Sequence, residues 1–412
     1  MVYFIYNLDM DYLLDDKVAY IIKTLNNHGF EANIVGGCVR DILLNSVPSD
    51  FDINTDATPN QIIDIFKGFK IIETGIKHGT LSLILNGKAY EITTYRIDGK
   101  YTDYRRPETV KFSFNLADDL ARRDFTINAL AYNYKDGLLD FHNGCEDLKN
   151  QIIRCVGDPY IRFKEDALRI LRAIRFASTL GFKIEEVTKK AMFENRHLLL
   201  NIANERIYIE LMKTLTGKYV SEVLAQFKVI LEVFIPELRY VARYKFIESL
   251  KYLAKEKEDQ SIILAILLKP LENYNEILKR FKVDNKTYQE VSFLIEHYYY
   301  PIEVDRITIR FTLNKMGKDM LVKLLKMQYF VEHIDKFYYD LSLSTIKYIE
   351  ENKLPYQLKD LEIDGTDILK FGFHGKEIAV QLKNLLSLVI KNKLNNTRED
   401  LYNYLKSQQN KK

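Results

Sequence analysis

The chain predicts an α/β head followed by an all-helical remainder, and three observations carry that prediction. Between residues 1 and 150, short apolar runs alternate with glycine, asparagine and proline, including the hairpin dipeptide Asn86-Gly87. Beyond Pro159, apolar residues recur at helical spacing almost to the end of the chain. The 412 residues include only 8 prolines and 17 glycines, so long helices meet few breakers.

The elements follow in order. Residues 9–29 read as an amphipathic helix with Val18, Ile21, Ile22 and Leu25 on one face. Ala32 to Val35 reads as a strand, Val39 to Leu44 as a helix and Phe51 to Ile53 as a strand. Thr58 and Pro59 are the cap and first residue of a helix running to Phe66. Gly79 to Leu85 and Lys88 to Tyr95 form two strands joined at Asn86-Gly87, and Asp98 to Pro107 is a charged loop. Phe125 to Tyr132 is expected to be helical, followed by a strand pair around Asp136-Gly137. Ile161 to Leu180 reads as one long helix closed by Gly181, and Pro236, Pro270, Pro301 and Pro355 mark later junctions.

Apolar content of 47% and charged content of 28% match a globular protein. No stretch approaches the roughly 18 uncharged apolar residues of a membrane span. The start, Met1 to Asp11, carries acids and lacks a basic segment, so no signal peptide is read there. Cys38, Cys145 and Cys155 lack paired metal spacing and fit a reducing compartment, so the cytoplasm is expected. A net charge of +3 is too mild to argue for a nucleic-acid partner by itself.

Chemistry concentrates in three blocks. In the first, a strand ends at Gly36-Gly37, a helix follows carrying Arg40, and Asp50-Phe51-Asp52 comes next. Glycines let backbone N–H groups approach phosphate oxygens closely. Asp50 and Asp52, two apart on an extended chain, face one way, where both can ligate Mg²⁺. Glu91 is a candidate third carboxylate; an isolated Asp-x-Asp on its own is more often solvated charge. In the second block, Arg122-Arg123-Asp124, the arginines suit triphosphate oxygens and Asp124 suits a ribose hydroxyl; an exposed salt-bridge cluster is the plain alternative. In the third, Asp166, Arg169 and Arg172 lie three apart on the expected long helix, with Arg175 drifting away from Asp166. An acceptor beside a donor fork matches the Watson–Crick edges of C and A and mismatches G and U. A bidentate contact of that kind discriminates by about 1–3 kcal/mol. The plain alternative here is a salt bridge on a solvated face.

Together these blocks resemble the class II tRNA nucleotidyltransferases, the CCA-adding enzymes, which share a DNA-polymerase-beta-type head with bacterial poly(A) polymerases. The resemblance places Asp50 and Asp52 on the catalytic aspartates, and the Arg122–Leu130 block, including Asn128, on the ribose-recognition motif. It places Glu165–Phe176 on the amino-acid template for C and A, with Asp166 and Arg169 at the template positions and Arg172 and Arg175 within it. Gly137–Gly157 resembles the family's hinge motif, and Glu205-Arg206-Ile207 with Glu210 and Lys213 the last neck motif. Asn45 and Asn143 stand where the family usually has glycine; asparagine tolerates the left-handed backbone, so neither undermines the site.

The resemblance implies a head (1–150), neck (151–215), body (216–325) and tRNA-binding tail (326–412). It implies addition of C, C and A to a tRNA 3′ end from CTP and ATP, with two Mg²⁺ ions and no membrane partner. The loop 95–107 looks full length, which favours complete CCA addition over CC addition. Poly(A) polymerase, CC-adding and A-adding activities stay open as alternatives, Phe51 between the aspartates being shared with the poly(A) polymerase branch.

Overall fold

The structure, a computed structural model, describes residues 15–99 and 109–409. The chain divides into two compact units, Met1–Leu250 with Lys279–Lys282 and Lys251–Leu278 with Val283–Lys412.

The first unit opens with helix α1 (Asp16–Asn27), capped by the Asp15 carboxylate accepting from the Lys17 N–H at 2.8 Å. Its expected apolar face, Val18, Ile21, Ile22 and Leu25, is fully buried. Next come β1 (Ala32–Val35), α2 (Gly37–Leu43), β2 (Asp52–Thr55), α3 (Pro59–Ile65), β3 (Lys70–Ile72), β4 (Thr80–Leu85), β5 (Lys88–Thr94), β6 (Arg96–Asp98) and β7 (Val110–Phe112). They are followed by α4 (Leu116–Ala121), β8 (Leu130–Asn133), β9 (Gly137–Asp140), α5 (Gly144–Asn150) and β10 (Ile152–Ile153). A seven-stranded mixed sheet has the order β3-β4-β5-β2-β1-β8-β9, with β2 and β5 parallel and its other pairs antiparallel. The β4–β5 hairpin turns at Asn86 and Gly87, whose φ of +50° and +80° give the left-handed pair that this dipeptide favours. Asn45 and Asn143 both adopt φ of +57°, as required of asparagines standing in for glycine.

One expected helix is absent. Phe125–Tyr132 forms a single 3₁₀ turn, Thr126–Asn128, and then strand β8. All four β8 residues are buried, so the two-residue alternation that marks a strand is missing, and an unbroken apolar run is ambiguous between helix and strand. α4 covers one sheet face through Leu116 and Leu120, packed with Val35, Tyr95, Ala129, Ala131 and Val156.

The helical part of this unit comprises α6 (Pro159–Glu165), α7 (Leu168–Leu180), α8 (Glu186–Asn195), α9 (Asn204–Leu215) and α10 (Val220–Phe234), with a short strand β11 (Lys183–Ile184). The single helix expected over 161–180 is therefore two. At Asp166 the backbone turns extended, with φ −139° and ψ 102°, and its carboxylate accepts the Leu168 N–H at 3.1 Å, which restarts the helix. α7 ends at Gly181 as expected.

Further helices are α11 (Arg243–Leu253), α12 (Gln260–Leu268), α13 (Tyr274–Arg280), α14 (Asn285–Glu296), α15 (Arg306–Met316), α16 (Lys318–Phe330), α17 (Lys336–Glu351), α18 (Gly365–Leu369), α19 (Lys376–Ile390) and α20 (Arg398–Gln409). In the second unit α12 is buried all round from Ser261 to Leu268, and a separate core around Leu361, Ile368, Leu385, Val389 and Leu401 holds α18 to α20. Among the described residues, no helix is long and apolar enough to cross a membrane.

Candidate active site

Strand β2 begins at Asp52, and Asp50 lies two residues earlier in the approach to it. The parallel neighbour β5 places Glu91 in register directly beside Asp52, so the two side chains leave the sheet on one face. Burial pushes the Asp52 carboxyl above its ordinary value; Arg123 pulls it back and Asp50 pushes it up. Burial also raises Glu91, and Asp52 and then Asp50 add to it. Three carboxylates thus repel one another beside the inner strands β2 and β5, an arrangement that a divalent cation relieves. Among the described residues, no three His, Cys, Asp or Glu side chains are grouped closely enough to hold a metal ion by themselves. Mg²⁺ does not need such a cage: it keeps several waters and takes one or two carboxylates plus substrate phosphates. The hard oxygen donors of Asp50 and Asp52 fit it on those terms.

Gly36 ends β1 with φ +85° and ψ −130°, and its N–H donates to the Leu130 carbonyl at 2.9 Å. A Cβ at Gly36 would sit 2.8 Å from Nη1 of Arg123, so the missing side chain is what lets that guanidinium lie against the turn. Gly37 opens α2, where a Cβ would come no closer than 3.6 Å to Arg40. Arg123 donates through Nη2 to Asp119 at 3.3 Å, and its buried Nε has no hydrogen-bond partner. Arg122 donates through Nε and Nη2 to Asp119 at 2.9 and 2.6 Å. Arg40 donates to Asp41 at 2.9 and 2.7 Å and to Oδ1 of Asn128 at 2.7 Å. Asp52, Gly36, Arg123 and Arg122 are thus neighbours, with an unsatisfied cationic donor among them.

Asp119 lies outside the three sequence blocks. Its signal is in the chain: one acid, three residues before Arg122 and four before Arg123, pairs with both.

Asp124 is turned inward. Its Oδ1 accepts from the Phe125 N–H at 2.8 Å and from Asn128 at 3.1 Å, and its Oδ2 accepts from Arg172 Nε at 2.7 Å. Burial would push this carboxyl up, but the Arg172 guanidinium and the Asn128 hydrogen bond hold it down at about 2. In this arrangement Asp124 anchors Arg172.

Asp166 and Arg169 are close in the chain, and the Arg169 N–H donates to the Asp166 carbonyl at 3.1 Å. They are not rungs of one helix, because Asp166 sits at the α6–α7 break. Arg206 of α9 donates to Asp166 Oδ2 at 2.9 Å. Arg169 is buried and donates to Glu165 at 2.8 Å and to the Arg122 carbonyl at 2.9 Å. Each retains spare capacity: Arg169 keeps its Nε–H, and each Asp166 oxygen keeps a lone pair. Arg175 turns to Glu210 of α9 at 2.8 Å. The Arg40, Arg172 and Arg175 guanidiniums lie 5.1, 5.4 and 4.3 Å from the Phe176 ring centre, so one aromatic ring joins α2 to α7.

The loop 95–107 falls largely on residues 100–108, outside the described residues.

A model of the poly(A) polymerase head domain matches residues 32–154, one described as a probable RNA- and SrmB-binding site of polymerase A matches 181–241, and one for tRNA nucleotidyltransferase domain 2 matches 254–405. The CCA-adding enzyme of Oceanobacillus iheyensis is 36% identical over 409 residues, spanning 93% of this chain and 95% of that protein. The crystal structure of the Bacillus stearothermophilus CCA-adding enzyme in complex with CTP is similar with a TM-score of 0.82 at 28% identity, covering 96% of this chain and 98% of that one. A tRNA nucleotidyltransferase complexed with a primer tRNA and an incoming ATP analog gives a TM-score of 0.62 at 25% identity, covering 81% of this chain and all of that one. With the carboxylate cluster, the glycine turn and the arginines in their expected blocks, the near full-length match shows that the chain belongs to the CCA-adding enzyme family of nucleotidyltransferases.

Proposed function

We propose that this protein extends the 3′ end of a tRNA by C, C and A, using CTP and ATP and releasing pyrophosphate. The observation that carries the reading is the carboxylate cluster of Asp50, Asp52 and Glu91 beside the Gly36 turn and the unsatisfied Arg123. The names and bound ligands of the relatives, CTP in one and a primer tRNA with an ATP analog in another, support the substrates.

In this reading Asp50 and Asp52 hold two Mg²⁺ ions, with Glu91 beside them. Such ions, when bound, lower the pKa of an attacking 3′ hydroxyl and neutralise a departing pyrophosphate. Arg123, Arg122 and Arg40 hold triphosphate oxygens, and the Gly36-Gly37 turn lets them approach the backbone. Asn128, held between Asp124 and Arg40, steadies the ribose side of the pocket. Asp166 and Arg169 read the amino group and ring nitrogen shared in pattern by C and A, using the spare hydrogen-bonding capacity noted above. Arg172 and Arg175, clamped by Asp124 and Glu210, hold α7 in place for that contact. The head, neck, body and tail at 1–150, 151–215, 216–325 and 326–412 divide the labour, the last contacting tRNA, in the cytoplasm.

The test offers tRNA lacking its terminal CCA with CTP alone, ATP alone, or both. A product three nucleotides longer is expected with both. A long tail from ATP alone would make the protein a poly(A) polymerase, and a stop after two cytidines a CC-adding enzyme. Asp166→Ala is expected to narrow the preference for CTP over UTP by roughly 10-fold or more, the size of one bidentate base contact.

A further inference from the structure

Asp119 is the centre of a polar assembly that none of the sequence blocks included. Its side chain is fully buried on α4, on the inner side facing the sheet. Four donors converge on it: Nε and Nη2 of Arg122, Nη2 of Arg123, and Nδ2 of Asn54 at 3.0 Å. Asn54 lies on β2 two residues beyond Asp52, so the two share a face of that strand. Asn54 is itself fixed from the neighbouring strand. Asn33, its register partner on β1, donates to Tyr95 Oη at 2.5 Å and reaches Asn54 Oδ1 at 3.4 Å. Asn133 on β8 donates to Asn33 Oδ1 at 2.7 Å. All three asparagines are buried, and a buried, mutually bonded amide row admits few other arrangements.

We propose that Asp119 is a positioning residue that sets Arg122 and Arg123 at a fixed distance from the Asp52 strand, so that both guanidiniums are preset for the phosphates of the incoming nucleotide. This rests on the nucleotidyl-transfer reading above and deepens it.

The geometry argues for positioning over simple neutralisation. Asp119 meets both guanidiniums, and Asp98 lies 3.9 Å from Nη1 of Arg122 on its other side. Asp119 occupies only one side of Arg123, leaving Nη1 against the Gly36 turn and Nε without a partner. An arginine otherwise free to rotate loses its conformational freedom on binding phosphate; held by Asp119, it has already lost it. Burial would push the Asp119 carboxyl up, yet Arg123 and Arg122 hold it below its ordinary value, so the grip persists at neutral pH. Since every nucleotide carries the same triphosphate, the effect is blind to the base.

The test compares the full-length wild type with Asp119→Asn, which preserves shape and can still meet Asn54. Calorimetry measures affinity for CTP, CMP and inorganic tripolyphosphate in Mg²⁺, and steady-state kinetics measures KM for CTP and for ATP. Tenfold or greater weakening is expected for CTP and tripolyphosphate, with CMP changed far less. KM for CTP and ATP is expected to rise together, with KM for tRNA unchanged. Arg123→Lys is expected to show the same pattern, and the double variant to lose no more than either single one, because both act through one group. Equal losses for CTP and CMP, additive losses in the double variant, or wild-type tripolyphosphate affinity in Asp119→Asn would each overturn the proposal. A variant that does not fold would also overturn it, by making Asp119 a structural anchor alone. If the wild type binds tripolyphosphate but adds no nucleotide to tRNA, the functional reading falls while this inference is still decided by the binding data.

Discussion

Replacing Gly36 by alanine tests the turn on which the site is built. At φ +85° and ψ −130° the backbone lies where side chains are strained, at a cost of about 1–3 kcal/mol. In a unit of this size each kcal/mol lowers Tm by about 2–4 °C, so a fall of roughly 2–12 °C is expected. The new Cβ also lands 2.8 Å from Arg123 Nη1. That atom is the far end of a flexible side chain and can retreat, but retreat carries the guanidinium away from the turn. Loss of one charge-assisted hydrogen bond is worth about 1.5–3 kcal/mol, or roughly 10- to 150-fold in kcat/KM for the nucleotide. The assay is incorporation of labelled CTP at subsaturating concentration, beside a thermal melt. Gly37→Ala is the control: its Cβ meets nothing nearer than 3.6 Å and its φ is ordinary, so Tm is expected to hold. Any loss of activity in Gly37→Ala then reports close approach of phosphate to the backbone. Wild-type Tm and kcat/KM in Gly36→Ala would refute the reasoning.

Asp52→Asn is expected to lower incorporation by at least about 10²–10³-fold, the scale for one electrostatic group at a reacting centre. Because burial and Asp50 raise the Asp52 pKa in the folded state, its ionised form weakens the fold as pH rises through that pKa. Without Mg²⁺ the variant is therefore expected to melt no lower than wild type at pH 7, with any advantage shrinking toward pH 4. Asp124 works in the opposite sense. Its folded pKa of about 2 lies below the ordinary 3.8, so it stabilises above pH 4, and that contribution disappears as pH falls from 4 to 2. Asp124→Asn is expected to remove this part of the acid dependence, read as the wild-type-minus-variant difference in urea midpoint at pH 5 and pH 2.5. Mg²⁺ with a non-hydrolysable CTP analogue is expected to raise the wild-type Tm, and chelation to reverse the rise. A variant with both Asp50→Asn and Asp52→Asn should show no Mg²⁺-dependent part of that shift.

Features written in short stretches of chain were legible. The Asn86-Gly87 turn needs two consecutive left-handed residues, and few dipeptides supply them. The helix start at Thr58-Pro59 and the α7 stop at Gly181 are likewise set by residues at the element ends. Strand β8 was hidden because burial on both faces erased its alternation. The α6–α7 break was hidden because Asp166 is fixed by a partner 40 residues away, Arg206. In the second unit Tyr298 is buried and its neighbour Tyr299 71% exposed, a difference that identical adjacent residues do not write into the sequence.

The sequence by itself determined that glycines, paired aspartates and arginines occur in the blocks of a nucleotidyltransferase, because turns, caps and ligand spacing are properties of neighbouring residues. Only the tertiary structure decided which charges meet. It set Glu91 beside Asp52, turned Asp124 inward onto Arg172, gave Asp166 to Arg206, and placed Asp119 under both arginines of the triphosphate block. The physical reason is that a buried charge must find its partners wherever packing brings them, and packing joins strands and helices that the chain keeps far apart.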